Sequence, residues 1–120
     1  HGVGNRVRVF VGDLFEPVEG RYHAILSNPP SVPSGEIAGL SREVRREPRA
    51  ALDGGPDGLD VVRRIAELAA SRLHPGGLLA VELALEQPSE VAALLSRSGF
   101  SRTEVREDFT HRDRYVLAWT

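Results

Sequence analysis

An asparagine followed by two prolines ends an apolar run in this 120-residue chain, and the three residues together suggest a binding site. Asn28, Pro29 and Pro30 come directly after the run ILS. The prolines lack backbone N–H groups and have a fixed φ, so the corner offers rigid carbonyl oxygens beside the side-chain oxygen of Asn28. A site made of acceptors suits a donor-rich guest, such as the planar NH₂ group of an amide or a base. Holding both N–H bonds while the nitrogen lone pair faces an electrophile is catalysis by positioning.

Composition excludes several other kinds of chemistry. Cysteine is absent, so disulfides, thiolate metal sites and thiol nucleophiles are excluded. The four histidines are scattered along the chain, which argues against a metal site. The formal net charge of −2 argues against direct nucleic-acid binding, because that binding depends on neutralising phosphates.

Membrane and secretory signals are also lacking in the sequence. No apolar run approaches the ~20 residues that a spanning helix needs, and no secretory signal is recognised. We therefore expect no membrane partner and a cytoplasmic location. The chain contains no Met and starts at His1, which predicts a fragment or a shortened form of a longer protein.

The first half of the chain predicts two strands and a long connection. Residues 6–11, RVRVFV, alternate Arg and Val before becoming apolar, and residues 22–27, YHAILS, end at the prolines. Residues 1–4 are interpreted as the tail of a helix, because a nucleotide-cradling glycine loop would have to follow a strand. Residues 31–56 predict an irregular connection with a short helix around 36–47.

The second half predicts two helices and three strands. Apolar residues at three- and four-residue steps predict a helix over 57–73, which Asp57 can cap and which the turn at 74–77 ends. Residues 78–85 predict a buried strand, and residues 88–99 a helix with Pro88 in its first turn and Gly99 past its end. Two further strands are predicted at 101–108 and 114–119.

This order of elements predicts an α/β fold with a doubly wound, mostly parallel Rossmann-like sheet and an antiparallel pair at its C-terminal edge. Ligands of such sheets bind outside the carboxyl ends of the strands. Those ends are Gly12-Asp13, Ser27-Asn28 and Glu82 to Leu85. The Asn28 corner is therefore expected to lie at a ligand site.

Four segments in this order resemble one enzyme family. They are RVRVFVGDLFEPV, SNPPSVP, EPRAALDGGPDGLD and HPGGLLAVELALEQ, and they cover nearly the whole chain. They are similar to the C-terminal half of the release-factor glutamine methyltransferases, the HemK or PrmC family of class I S-adenosylmethionine-dependent methyltransferases. The resemblance implies that residues 1–120 form part of a methyltransferase catalytic domain. The family methylates the glutamine side chain of a GGQ motif in peptide-chain release factors.

The resemblance also implies roles for individual residues. Asn28 and Pro29 would hold the glutamine amide as the catalytic pair, and Pro30 and Ser31 would complete the substrate site. Asp13, with Leu14 and Asn28, would contact the cofactor S-adenosylmethionine, Asp13 through the adenine amino group. The family has an aromatic residue, usually Tyr, where this chain has Ser31. Its glycine-rich cofactor loop and an acidic ribose-binding residue precede the part that matches this chain.

Other interpretations remain open. Asp13 fits a simple turn residue beside Gly12, and Tyr115 and Trp119 fit packing positions. A folded fragment that associates with itself through exposed sheet edges is the alternative from a different class of protein. A nucleic-acid adenine-N6 methyltransferase would use the same corner, but the charge and Ser31 argue against it.

Overall fold

A computed structural model describes residues 2, 4–84 and 87–120 of the chain. The strands are β1 (Tyr22–Ser27), β2 (Leu73–Glu82), β3 (Arg102–Glu107) and β4 (Asp113–Trp119). The α-helices are α1 (Arg42–Arg45), α2 (Asp60–Ala69) and α3 (Pro88–Ser96), and short 3₁₀ segments cover Ser34–Gly39, Arg49–Ala51 and Ala70–Arg72. The helix tail predicted at 1–4 and the strand predicted at 78–85 fall partly outside the described residues.

The four strands form one sheet in the order β1-β2-β4-β3. β1 is parallel to β2, whereas β2 and β3 are each antiparallel to β4. The predicted α/β class and the antiparallel C-terminal edge pair are confirmed. Parallel pairing in the described sheet is limited to β1 and β2, because β4 inserts between β2 and β3.

Helices α2 and α3 pack on the same face of this sheet. Their apolar residues share one core with β2 and β4, and its buried members include Val62, Ile65, Leu79, Val81, Val91, Leu95 and Val116. The connections β1-α2-β2 and β2-α3-β3 advance across the sheet in one direction, and right-handed crossovers of that kind place both helices on one side. In a doubly wound sheet the direction in which the strands are added reverses, and this reversal places helices on the second face. The described strands show no such reversal. That face is open at Leu26, which is 76% exposed.

The strand predicted at residues 6–11 is wrong. Residues 7–11 form no ladder with any described strand. Val9 and Val11 are 87% and 97% exposed, so the apolar side chains of this segment contact little of the core. Alternation of residue types favours an extended backbone, but a strand also needs a partner for its N–H and C=O groups.

Several predicted boundaries move. The helix expected around 36–47 is divided into a 3₁₀ segment and α1, while α2 begins at Asp60 rather than near 57. The carboxylate of Asp57 accepts a hydrogen bond from the Leu59 N–H at 3.0 Å, so it stabilises the turn before the helix. The turn predicted at 74–77 is an irregularity inside β2, since Leu73 already pairs with Tyr22 and pairing resumes at Leu78.

The turn between β3 and β4 is organised by the carboxylate of Asp108. It accepts hydrogen bonds from the Thr110 hydroxyl at 2.6 Å, the Thr110 N–H at 2.7 Å and the Arg112 N–H at 3.2 Å. The hydroxyl bond is the largest of the interactions that lower the pKa of Asp108 from 3.8 to about 2. The ionised form therefore stabilises the folded chain.

We expect the stability of the fold to decrease as Asp108 is protonated. The folded-state pKa of Asp108 is depressed, so its contribution to the free energy of unfolding is fully present above pH 3.8. This contribution is lost as the pH falls toward about 2. The Asp108→Asn variant should be less stable than the parent near neutral pH and lose less stability on acidification. Urea unfolding followed by circular dichroism, at neutral pH and at about pH 2, measures both differences. Equal losses of stability in parent and variant would contradict the role of Asp108.

Candidate functional site

The corner after β1 is held by contacts that leave Asn28 accessible. Asn28 is exposed, Pro29 is buried and Ser31 is only 7% exposed. The Ser31 hydroxyl accepts a hydrogen bond from the Ala84 backbone N–H at 2.9 Å, which joins the corner to the segment after β2. The Asn28 side chain is thus presented from an anchored backbone.

The long connection after the corner folds back and pairs with it. The Val32 N–H donates to the Leu52 carbonyl at 3.0 Å, and the Val32 carbonyl accepts from the Gly54 N–H at 2.9 Å. The Ser34 hydroxyl donates to the Asp53 carboxylate at 2.6 Å, and this bond is the main cause of the lowered pKa of Asp53. These bonds give an otherwise irregular connection a fixed path beside the corner.

Gly58 is where three segments of the site meet. Its φ is +83°, and a Cβ at this position would lie 2.5 Å from the Ser31 carbonyl oxygen and 2.5 Å from Gln87 Nε2. Gln87 is buried, and its Nε2 donates to the Asp57 carbonyl at 2.9 Å. The corner, the turn before α2 and the start of α3 are therefore packed together without space for a side chain at residue 58.

A depression of about 310 Å³ opens beside Asn28 on the uncovered face of the sheet. It lies at the carboxyl ends of β1 and β2, where α/β sheets bind ligands. It is lined by Leu26, Ser27, Asn28, Ala80, Val81, Glu82 and Tyr115. Asn28, Glu82 and Tyr115 are the residues of this lining, besides Ser27, that have polar side chains, and each of the three carries an oxygen that can accept a hydrogen bond.

Asp13 and Leu14, the predicted cofactor residues, lie on the other side of β1. The Asp13 carboxylate is 2.6 Å from Arg64 Nη2, and this hydrogen bond is the main cause that lowers the pKa of Asp13. Leu14 has a φ of +51° and lines a small cavity with Ser27 and the apolar residues Phe15, Ile25, Leu26 and Ile65. Leu14 therefore reaches the end of β1, whereas Asp13 is directed to α2.

Sequence reasoning missed Glu82 and Tyr115 as lining residues of the depression. Glu82 lies within the predicted carboxyl end of a strand, and Tyr115 was interpreted as packing. Successive side chains of a strand point to opposite faces of the sheet, so Glu82 and Tyr115 lie on the face away from the buried Val81 and Val116. This alternation is the signal that could have found them. Their position next to Asn28 depends on the strand order, which periodicity does not reveal.

Residues 2, 4–84 and 87–120 offer neither a metal cluster nor a membrane-spanning helix. Within these ranges no group of three or more His, Cys, Asp or Glu side chains is arranged to hold a metal ion. None of the helices found there is long and apolar enough to cross a membrane.

The fold is similar to part of a solved methyltransferase structure. The structure of a methyltransferase from Pyrococcus furiosus superimposes with a TM-score of 0.54 at 19% identity, over 85% of this chain and 42% of that chain. At this identity the likeness concerns the fold alone. No protein-family model matches the chain.

The sequence is similar to proteins named release factor glutamine methyltransferase. The Geobacter sulfurreducens protein is 47% identical over 115 residues, which are 94% of this chain and 40% of that protein. The Moorella thermoacetica protein is 44% identical over 120 residues (98% and 42%), and the Thermosynechococcus vestitus protein is 42% identical over 125 residues (100% and 43%). The chain thus spans about two-fifths of these relatives. The resemblance predicted from the four motifs is confirmed.

Proposed function

We propose that this chain forms the substrate-amide part of an S-adenosylmethionine-dependent methyltransferase that modifies a glutamine side chain in peptide-chain release factors. The observation that carries the proposal is the Asn28 corner, which borders an open depression at the carboxyl ends of two parallel strands. The similarity of almost the whole chain to release factor glutamine methyltransferases supports the choice of substrate.

The chain would act on the glutamine by positioning it. The Asn28 side-chain oxygen accepts one amide N–H, and a backbone carbonyl of Asn28 or Pro29 accepts the other. An amide nitrogen is a weak nucleophile because its lone pair is delocalised, so orientation of that lone pair is the main contribution that the site can make. The anchoring of Ser31 to Ala84 keeps these acceptors fixed. Pro30 and Ser31 shape the loop beside the bound amide.

The acceptors of the chain suit S-adenosylmethionine, which carries N–H donors and a positive charge. When bound, this cofactor supplies an activated methyl group on a sulfonium. Asp13 is half exposed, and its lowered pKa keeps it ionised. Arg64 binds its Oδ2, so Oδ1 would be the atom that accepts the adenine amino group beside Leu14. Asn28 would contact both the cofactor and the substrate. The proposed partner is a release factor carrying the GGQ motif, and the proposed location is the cytoplasm.

Self-association is a second candidate, and a specific observation favours it. β1 lies at an edge of the described sheet, and the apolar side chains of Val9 and Val11 nearby along the chain are almost fully exposed. Exposed edges and extended apolar segments pair readily with another chain. Light scattering tests this: a mass that rises with concentration supports a homo-oligomer, and a single-chain mass throughout contradicts it.

The proposed activity can be tested in a hybrid enzyme. This chain replaces the 115 matched residues of the Geobacter sulfurreducens relative, and the hybrid is incubated with S-adenosylmethionine and a release factor. We expect mass spectrometry to find one added methyl group on the GGQ glutamine, and none when that glutamine is replaced by alanine. A folded hybrid that binds the cofactor but leaves the release factor unmodified would contradict the proposal.

A further inference from the structure

We propose that Arg64 is a positioning residue of the cofactor site. It holds one carboxylate oxygen of Asp13, which leaves the other oxygen in a fixed place to select adenine over bases that lack an amino group. The inference rests on the proposed function, because it depends on Asp13 as the acceptor of the adenine amino group.

Asp13 follows a segment that gives its backbone no rigid support. Ligand-binding residues of α/β sheets commonly follow a strand, and the ladder of that strand fixes them. Residues 7–11 form no ladder with any described strand, and the side chain of Asp13 is 53% exposed. The direction of its carboxylate therefore depends on contacts from another element.

Helix α2 supplies such a contact through Arg64. Nη2 of Arg64 donates to Oδ2 of Asp13 at 2.6 Å, a short distance typical of charge-assisted hydrogen bonds. The contact engages one oxygen of the carboxylate, so Oδ1 is left for a ligand. The same bond is the main cause of the lowered pKa of Asp13, which keeps the carboxylate an acceptor.

The turn that begins at Asp13 is held to the helix at its other end as well. The Asp13 carbonyl accepts from the Glu16 N–H at 3.1 Å, which closes the turn. Arg72, just after α2, donates through Nη1 to the Val18 carbonyl at 2.6 Å. Residues 13–18 are thus attached by an arginine at each end, and the position of the carboxylate is tied to that of α2.

A fixed acceptor distinguishes adenine from hypoxanthine, in which an oxygen replaces the amino group. The amino group can donate an N–H to Oδ1 of Asp13, whereas the hypoxanthine oxygen is an acceptor and is repelled. A carboxylate that rotates freely can turn away from the repelling oxygen and loses less. Because Arg64 restricts this rotation, it increases the difference in affinity between the two bases.

The first test measures ligand binding to the hybrid enzyme. Calorimetry gives the dissociation constants of S-adenosylhomocysteine and S-inosylhomocysteine, and their ratio is the adenine preference. We expect a preference of at least roughly tenfold in the parent hybrid, a decrease of roughly threefold or more in Arg64→Ala, and a ratio close to one in Asp13→Ala. Arg63→Ala removes the same side chain one position earlier, where it contacts Asp57 and Asp60, and should leave the preference unchanged.

A second measurement needs no cofactor. In the 120-residue chain, NMR of the side-chain carboxyl carbon of Asp13 follows its protonation. Arg64→Ala should raise the pKa of Asp13 toward its ordinary value, because the bond that lowers this pKa is lost, and Arg63→Ala should not. An unchanged pKa in Arg64→Ala would mean that Arg64 does not hold the carboxylate, and the inference would be wrong.

A double variant separates this inference from the proposed function. If Arg64 acts through Asp13, adding Arg64→Ala to Asp13→Ala changes the preference no further. If Asp13→Ala removes the preference while Arg64→Ala keeps it, the role of Arg64 is wrong and the adenine site stands. If the parent hybrid shows no preference or binds neither ligand, or if Asp13→Ala changes nothing, the role of Asp13 fails and that of Arg64 fails with it. Circular dichroism verifies that each variant remains folded.

Discussion

Replacement of Gly58 by alanine is expected to lower the free energy of unfolding by about 2–4 kcal/mol. Two costs contribute. The φ of +83° lies in the left-handed region, which costs an L-residue about 1–2 kcal/mol. In addition, the new methyl carbon would lie 2.5 Å from the Ser31 carbonyl oxygen and 2.5 Å from Gln87 Nε2, so a backbone segment and a buried amide must both move.

A second glycine separates these two costs. Gly76 has a similar φ of +79°, but nothing lies within 4 Å of a Cβ built there. Gly76→Ala should therefore lower the free energy of unfolding only by the cost of the left-handed backbone, about 1–2 kcal/mol. Urea unfolding of both variants measures the difference. Equal losses would mean that the contacts around Gly58 relax without cost and that the three segments are not tightly packed there.

The contact at Gly58 also links stability to the site. Its clash partner Ser31 lies three residues after Asn28, and Ser31 holds the corner through Ala84. A shift of the Ser31 backbone would therefore move the acceptors of the corner. For this reason the Gly58→Ala variant should bind a glutamine peptide more weakly even where it remains folded, whereas Gly76→Ala should not.

Local sequence patterns predicted much of the sheet and its helices. β1, β3, β4 and α3 lie within a few residues of their predicted positions. For β1 and α3 the signal is clear, because a Pro or Gly marks where the apolar residues begin or end. Residues 6–11 carry an equally good strand pattern and still form no strand. The difference is that residues 7–11 have no neighbouring strand to hydrogen-bond with among the described residues. Whether such a neighbour exists depends on the whole fold and not on the segment itself.

The candidate site could be predicted only in part for the same reason. Asn28 was found because two prolines after a strand are a local signal. Glu82 and Tyr115 carry no such signal. They come close to Asn28 because β2 pairs with β1 on one side and with β4 on the other. The interaction of Asp13 with Arg64 joins residues 51 positions apart, and neither has a neighbour along the chain that indicates it.

In the hybrid enzyme, Asn28→Ala is expected to reduce kcat/KM for release-factor methylation by roughly 100-fold or more, the usual cost of removing a polar group that orients a reacting atom. The loss should appear mainly in kcat, since the side-chain oxygen aligns the amide nitrogen while most binding to a protein substrate lies elsewhere. Single-turnover methylation, followed by mass spectrometry, measures the chemical step directly.

Matched variants make the role of Asn28 in this reaction testable. Asn5→Ala removes the same side chain at an exposed position outside the depression and should leave kcat/KM unchanged. Asn28→Asp keeps oxygen acceptors and loses the amide donor, so it should retain more activity than Asn28→Ala. If the alanine and aspartate variants lose activity equally, an accepting oxygen is not what Asn28 contributes. If neither loses activity, the substrate amide is held by other residues, and the corner serves only to end β1.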